Sequence, residues 1–323
     1  MQKCISHRRI SAIFHARVNV YLRGRQMEAT MTGKVLVLGA SGGFGGAAAK
    51  AFAEAGWQVS RFTRGTDMVA AARGMDLIVN GLNPPGYHDW ANLIPQITGQ
   101  VLAAAKASGA TVLVPGNVYV YGREPSPWGP DTPHRPVSRK GVIRATMEAQ
   151  YREASAQGTR VILLRGGDFM QPDAPSSVLS RVVLKGVAKG RIVSLGDPAA
   201  RRAHAYLPDM ARAAVALADI RDTLPAFADV PFAGHCFSTN DLATEVARQT
   251  GKPEKVGRFA WWQLRLLAPF WELARELLEM RYLYDLPHSL SPAELDRLLP
   301  GFAVTPLQQV VALHLAAAGV RAG

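Results

Sequence analysis

The stretch Lys34-Val-Leu-Val-Leu-Gly-Ala-Ser-Gly-Gly-Phe-Gly-Gly46 constrains this chain more than any other. Residues of β-forming character run into a glycine cluster, and a run of helix formers, Ala47-Ala-Ala-Lys-Ala-Phe-Ala-Glu-Ala55, follows. Strand, tight glycine turn and helix in that order suit a cradle for a dinucleotide. Gly39 allows the sharp exit from the strand, Gly42 keeps side chains away from a pyrophosphate, and Gly45 lets the helix lie close on the sheet. The helix N-terminus then offers unpaired N–H groups and the positive end of its dipole to phosphate. The spacing Gly39-x-x-Gly42-x-x-Gly45 departs from the commoner Gly-x-Gly-x-x-Gly. Its place between strand and helix therefore carries the reading, and a purely structural turn is the alternative.

At 323 residues the chain can bury a substantial core. Its net charge of +12 raises the question of nucleic acid. The distribution argues against it. Lys3, Arg8, Arg9, Arg17, Arg23 and Arg25 against Glu28 place +5 of that charge in the first thirty residues. The rest is spread thinly, with no basic helix face and no zinc-ligand spacing, and it suits an anionic cofactor or substrate. No metal is expected, because His88, His134, His204 and His235 share no ligand spacing and read as loop or core histidines. Cys4 and Cys236 are too few for a disulfide framework and fit a reducing, cytoplasmic setting. Residues 1–30 read as a disordered basic leader, either transit-like or the product of an upstream start, since Met27 and Met31 stand just before the first strand. Phe259 to Trp271 is too short for a membrane span and carries Arg265 and Pro269.

From Lys34 onward strand and helix patterns alternate, which implies a parallel sheet covered on both faces. The pattern predicts strands over Trp57–Thr63, Asp76–Asn80, Thr111–Pro115 and Val161–Arg165, and helices over Thr66–Arg73, Asp89–Ser108 and Ser138–Gln157. Loops are expected over Asn80–Gly86 and Glu124–Pro136 by composition. Later the pattern predicts helices over Val178–Lys189, Pro208–Ile220, Asp241–Thr250 and Trp261–Arg281, with short strands over Ile192–Leu195 and His235–Ser238. Ser291-Pro292 opens a further helix. Trp261, Trp262 and Trp271 read as core and Trp128 as a candidate substrate-lining residue. The expected organisation is a Rossmann core over 31–166, followed over 167–323 by a smaller α/β substrate region interleaved with the end of the core sheet.

A dinucleotide site discriminates near the end of its second strand, where an acid takes the ribose hydroxyls and an arginine takes a 2′-phosphate. Here Ser60-Arg61-Phe62-Thr63-Arg64 holds no acid, so Arg61 and Arg64 favour NADP, with NAD as the alternative. The chain resembles the extended short-chain dehydrogenase/reductase superfamily, the NAD-dependent epimerase/dehydratase group, and most closely its atypical members. The likeness spans most of 33–312. It rests on the three glycines, on Val120-Tyr121-Gly122, and on Leu164-Arg165-Gly166-Gly167-Asp168-Phe169. It rests also on Tyr206-Leu-Pro-Asp209-Met-Ala-Arg-Ala213 and on Leu299-Pro-Gly-Phe-Ala-Val-Thr-Pro-Leu307. The resemblance implies a doubly wound Rossmann sheet and possible homodimerisation through helices 89–108 and 138–157.

It also implies a catalytic serine or threonine and a Tyr-x-x-x-Lys on one helical face. The matching positions here are Asn117, Lys140 and Arg144, so all three are altered. Three outcomes stay open. Lys140 replaces the tyrosine in proton transfer, a phenol from Tyr119 or Tyr121 does so on an extended 117–121 segment shared with Asn117, or no such chemistry survives. Lys140 as an exposed helix charge is a further alternative. The candidate cofactor set is Gly39, Ser41, Gly42, Gly43, Phe44, Gly45, Arg61, Arg64, Asn80, Gly81, Asn83, Arg144, Gly166 and Gly167. Two functions fit: an NADP-linked oxidoreductase or epimerase acting on a small polar substrate, a sugar derivative among the candidates, or a non-catalytic NADP-binding redox sensor or assembly factor.

Overall fold

The computed structural model describes residues 32–172 and 177–320; the leader expected over 1–30 and Cys4 lie outside them. The strands are β1 Lys34–Leu38, β2 Gln58–Arg61, β3 Leu77–Asn80, β4 Thr111–Gly116, β5 Val161–Arg165, β6 Asp168–Met170, β7 Arg191–Ser194, β8 Arg202–Tyr206, β9 Phe227–Pro231, β10 His235–Phe237 and β11 Lys255–Arg258. Six of them make one parallel sheet in the order β2-β1-β3-β4-β5-β9. Its inner strands are apolar throughout because helices cover both faces: every residue of β3 and of β5 is buried. Gly43–Glu54 and Leu207–Asp219 pack on one face with Phe44, Phe52 and Met210 in the core. Met68–Ala72, Trp90–Ser108 and Arg139–Ala156 cover the other around Ile94, Met147 and Tyr151.

The sheet order places β1 between β2 and β3, so the chain leaving β2 crosses β1 to reach β3. That connection is a single short helix capped by Asp67, whose carboxylate accepts from the N–H groups of Val69 and Ala70. The reversal of direction opens a crevice at the C-terminal ends of β1 and β3, where ligands of open α/β sheets bind. A second layer follows. β10, β8 and β6 form a three-stranded sheet, and β7 pairs with β11. The chain returns to the central sheet at β9.

Several expected elements differ. The helix expected over Trp261–Arg281 is two helices, Trp261–Leu267 and Glu272–Met280, because Pro269 cannot continue the first. Trp261 is buried, but Trp262 and Trp271 are 60% and 44% exposed, not core. The helix expected over Val178–Lys189 is a π-helical turn, Leu179–Val183, and a separate 3₁₀ turn, Val187–Lys189. Trp128 is fully buried, stacked on His288 and donating to the Glu124 carbonyl. It does not line the cavity described below.

Candidate functional site

The glycine turn is built as its spacing implies. Gly39 leaves β1 at φ +69°, and a Cβ there would stand 2.7 Å from the Gly81 carbonyl oxygen. Gly42 N–H donates to the Gly39 carbonyl at 2.9 Å, and the helix opens at Gly43. A Cβ on Gly45 would collide with the Gly39 carbonyl, and one on Gly81 would lie 2.8 Å from the Gly45 Cα. Gly45 and Gly81 are thus the contact between the helix Gly43–Glu54 and the two strand ends. Gly42, Gly43 and Phe44 open onto a cavity of about 570 Å³. Ser41 is exposed beside the turn.

The cavity lies between the ends of β1, β3, β4 and β5 and the second layer. Asn80, Gly81, Asn83, Gly116, Asn117 and Tyr119 line it, as do Arg144, Gly166 and Gly167. Asn80 is held by donating to the Tyr151 hydroxyl at 3.0 Å and accepting from Leu82 N–H. Gly167 is required by packing, since a Cβ there would strike the Ala203 carbonyl. Arg144 donates to Asn83 Oδ1 at 2.8 Å and lies 4.7 Å over the Trp90 ring. Burial pushes its pKa below the ordinary arginine value, with Tyr119 and Glu148 opposing. Its Nε and the Gln171 Oε1 are buried without a hydrogen-bond partner. Two buried polar atoms without a partner at one cavity leave hydrogen-bonding capacity that a bound ligand or an ordered water fills. Arg61 and Arg64 sit exposed at and just past the end of β2, outside the cavity.

The three altered catalytic positions separate. The segment 117–121 is not extended: Tyr119–Tyr121 forms a 3₁₀ turn, with Asn117 Oδ1 accepting from Tyr119 N–H. Tyr119 faces the cavity, while Tyr121 is fully buried and donates to the Gly129 carbonyl at 3.1 Å. Tyr121 is therefore removed from the candidate set. Lys140 is neither exposed nor in the cavity. The residue is 1% exposed, and its amine pairs with Glu276 and donates to Glu279 at 2.8 Å, over the Tyr87 ring. A lysine between two carboxylates has no free path to a substrate. What remains is a phenol pair: the hydroxyls of Tyr119 and Tyr87 are 3.1 Å apart, and Tyr87 takes the left-handed φ of +63°. Burial raises both phenols, Tyr119 well above its ordinary value, so both stand protonated and are weaker acids than a free phenol, one hydroxyl donating to the other.

Lys140→Met is expected to lower stability by about 1–3 kcal/mol, because it removes the buried cation from two partly buried carboxylates and leaves them only the exposed Arg139. Dinucleotide affinity is expected to stay unchanged. Urea unfolding alongside an NADPH titration measures both. Unaltered stability with lost binding would return Lys140 to the site.

The sequence reading missed Tyr87, Arg202 and Tyr284, which all line the cavity. Arg202 pairs with Asp168 and lies 4.9 Å over the Tyr284 ring. Burial, the largest single effect, acts to raise the Asp168 carboxyl, but the charge and hydrogen bond of Arg202 together with the two nearby imidazoles outweigh it and the pKa falls below the ordinary value. A second charged cluster lies outside the cavity. His134, Glu148 and Asp229 approach one another as metal ligands do, but Arg165 bonds both carboxylates at 2.8 Å. The guanidinium answers one of the two carboxylate charges and occupies an oxygen of each. Asp209 anchors the late loop by accepting from Thr305 N–H and Oγ1–H at 2.7 and 2.8 Å.

The NAD dependent epimerase/dehydratase family model matches residues 95–228. No curated protein matches the chain significantly in sequence. Among solved structures, MoeE5 in complex with UDP-glucose and NAD is similar at a TM-score of 0.71 and 19% identity, covering 88% of this chain and 98% of that one. A UDP-glucose 4-epimerase from Brucella ovis in complex with NAD gives 0.70 and 16%, covering 90% and 100%. A nucleoside-diphosphate-sugar epimerase from Pseudomonas aeruginosa gives 0.66 and 17%, covering 88% and 96%. At these identities the likeness is one of fold.

Proposed function

We propose that this chain, which has the Rossmann fold and over residues 95–228 the sequence pattern of the NAD-dependent epimerase/dehydratase family, binds NADP and uses it in oxidoreduction or epimerisation of a small molecule. One observation carries the reading. The glycine turn that admits no Cβ at Gly39 or Gly45 opens onto a cavity holding two unpartnered buried polar atoms, from Arg144 and Gln171. The N–H groups of Gly42–Phe44 would hold the pyrophosphate, Arg61 and Arg64 the 2′-phosphate, and Arg144 and Asn83 the ribose side of the nicotinamide. The dinucleotide supplies hydride exchange at its nicotinamide ring. The chain supplies a protonated phenol at Tyr119, kept in place by Tyr87 and Asn117.

Titration with both reduced dinucleotides tests this. NADPH is expected to bind more tightly than NADH, and Arg61→Ala with Arg64→Ala is expected to remove the difference. Equal affinities in the parent chain would discard the arginine argument, and no binding of either would discard the function. The second reading, a non-catalytic NADP sensor, has its own observation in the ion-paired Lys140 and buried Tyr121. Tight NADPH binding with no oxidation across a carbonyl panel would favour it.

A further inference from the structure

The charge of the cavity restricts what can fill it beside the dinucleotide. Among the described residues its lining carries three formally charged side chains: Arg144, Asp168 and Arg202. Arg202 and Asp168 neutralise one another as an ion pair. His204, beside them, is neutral, its pKa lowered to about 3 by burial and then by Arg202. Arg144 is engaged by Asn83 and Trp90 at the sheet side. Much of the wall contributed by the second layer is carbon, from Leu179, Val183, Leu195, Phe237, Leu242 and Leu277, beside polar groups of Gln171, Ser177, Ser238, Thr239 and Tyr284. Of its hydroxyl groups, Ser238 Oγ accepts from Asp241 N–H and Thr239 bonds Ser194. With Arg144 given to the dinucleotide and Arg202 paired, an anionic diphosphate moved into the rest of the chamber would lose hydration without gaining an unpaired cation. An apolar body would gain from every wall atom.

We propose that this chamber takes an uncharged ligand with an apolar body and one carbonyl or hydroxyl group, in place of the UDP-sugars held by the structural relatives. This rests on the oxidoreduction reading, in which the polar end of the ligand meets the Tyr119 phenol. It also replaces the small polar substrate expected from the sequence.

The test uses the full chain, titrated calorimetrically with 2-nonanone and with UDP-glucose, each with and without saturating NADPH. The ketone is expected to bind and UDP-glucose not to. Leu277→Asn, a half-buried wall position, is expected to weaken the ketone about tenfold by losing apolar contact while keeping NADPH affinity. Asp168→Asn, which frees the Arg202 guanidinium, is expected to gain measurable UDP-glucose binding. Tighter binding of UDP-glucose than of ketone by the parent chain overturns the inference, and so does binding of neither. Failure to bind NADPH instead strikes the oxidoreduction reading, so the two failures are distinct.

A different surface carries a second inference. Trp262, Leu266, Leu267, Phe270 and Trp271 are 60%, 67%, 45%, 91% and 44% exposed. The opposite side of the same segment is buried, with Trp261 and Leu264 in the core. A helix on a soluble surface keeps its outer face polar, so this face is built to be covered. The cations Lys252, Lys255, Arg258, Arg265 and Arg275 are exposed, against the acids Glu254 and Glu272 over 252–275; Glu276 and Glu279, further along the second helix, are paired with Arg139 and Lys140. Protruding tryptophan and phenylalanine within a basic rim match the boundary between water and an anionic lipid surface.

We infer that this knuckle rests on an anionic bilayer, lying in its interface without crossing it. The full chain is expected to sediment with vesicles of phosphatidylcholine and phosphatidylglycerol, less so as salt rises, and not with phosphatidylcholine alone. Phe270→Asp is expected to reduce sedimentation about tenfold, with an unchanged melting temperature. No sedimentation overturns the inference. So does a dimer in light scattering that Phe270→Asp dissociates without any vesicle binding, which would make the knuckle an interface between copies.

Discussion

Arg165→Met is expected to cost about 3–5 kcal/mol of folding stability, the range for breaking a buried ion pair from one side. Arg165 is fully buried at the end of β5. Its Nε and Nη2 donate to Asp229 at 3.3 and 2.8 Å, and its Nη1 and Nη2 to Glu148 at 3.0 and 2.8 Å. Nη1 also donates to the Asn117 carbonyl at 2.6 Å. Burial opposes the guanidinium charge, but Glu148 and Asp229 outweigh it and hold its pKa well above the ordinary value. Methionine fills much of the space and removes all of these bonds. Two adjacent carboxylates then remain in the interior with nothing to answer their charge. The midpoint of urea unfolding measures the loss. Adding Glu148→Gln and Asp229→Asn to Arg165→Met is expected to recover most of it, since the uncompensated charge and not the missing bonds sets the cost. The single variant should also loosen Tyr119, because Asn117, whose carbonyl loses the Arg165 donor, holds Tyr119 N–H through its side chain. A single variant as stable as the parent chain would show that the cluster contributes nothing.

That cluster illustrates which parts of the molecule could be read along the chain. The glycine turn was legible because its requirements are local: Gly39 needs a positive φ, and Gly45 must clear a carbonyl six residues earlier. The parallel sheet was legible because β1, β3, β4 and β5 are apolar runs. β8 was missed because its cavity-facing residues, Arg202 and His204, are polar and break the apolar pattern. Lys140 was placed in the site or at the surface because its partners, Glu276 and Glu279, come more than 130 residues later. Helical spacing puts Lys140 and Arg144 on one face, but only tertiary packing decides that one meets carboxylates and the other a cavity. Tyr119 and Tyr121 share a face only if the chain stays extended, and Gly122 at φ +61° ends that segment in a turn. Tyr87 had no signal, since its role depends on a strained loop conformation that its own sequence does not favour.

The fold is expected to lose stability progressively from about pH 6.5 downward, with His204 the largest single source. Its ring is 6% exposed, stacked on Phe237 at 3.9 Å between centroids, with Nδ1 at 2.8 Å from the Arg202 carbonyl. Burial first, and then the Arg202 guanidinium, lower its pKa to about 3, against Asp168, which acts to raise it. In the unfolded chain the same imidazole titrates near the ordinary value of about 6.5. Between those values the unfolded chain binds a proton that the folded chain refuses. The stabilisation is complete above the unfolded value and is lost as pH falls toward the folded one. A shift of that size corresponds to about 4–5 kcal/mol at its limit. His134, His235 and His288 are lowered by burial as well and act in the same direction. His235 stands opposite His204 across the β8–β10 pair. Asp168 acts later, because its depressed carboxyl gives up stability only below the ordinary carboxylate range. His204→Phe keeps a ring against Phe237 and removes the titration. Between pH 7 and pH 4 its stability should fall less steeply than that of the parent chain, by several kcal/mol on the limit above. Parallel stability curves for the two proteins would mean that His204 accepts its proton in the folded state, and that the pairing of Arg202 with Asp168 leaves room for a further positive charge.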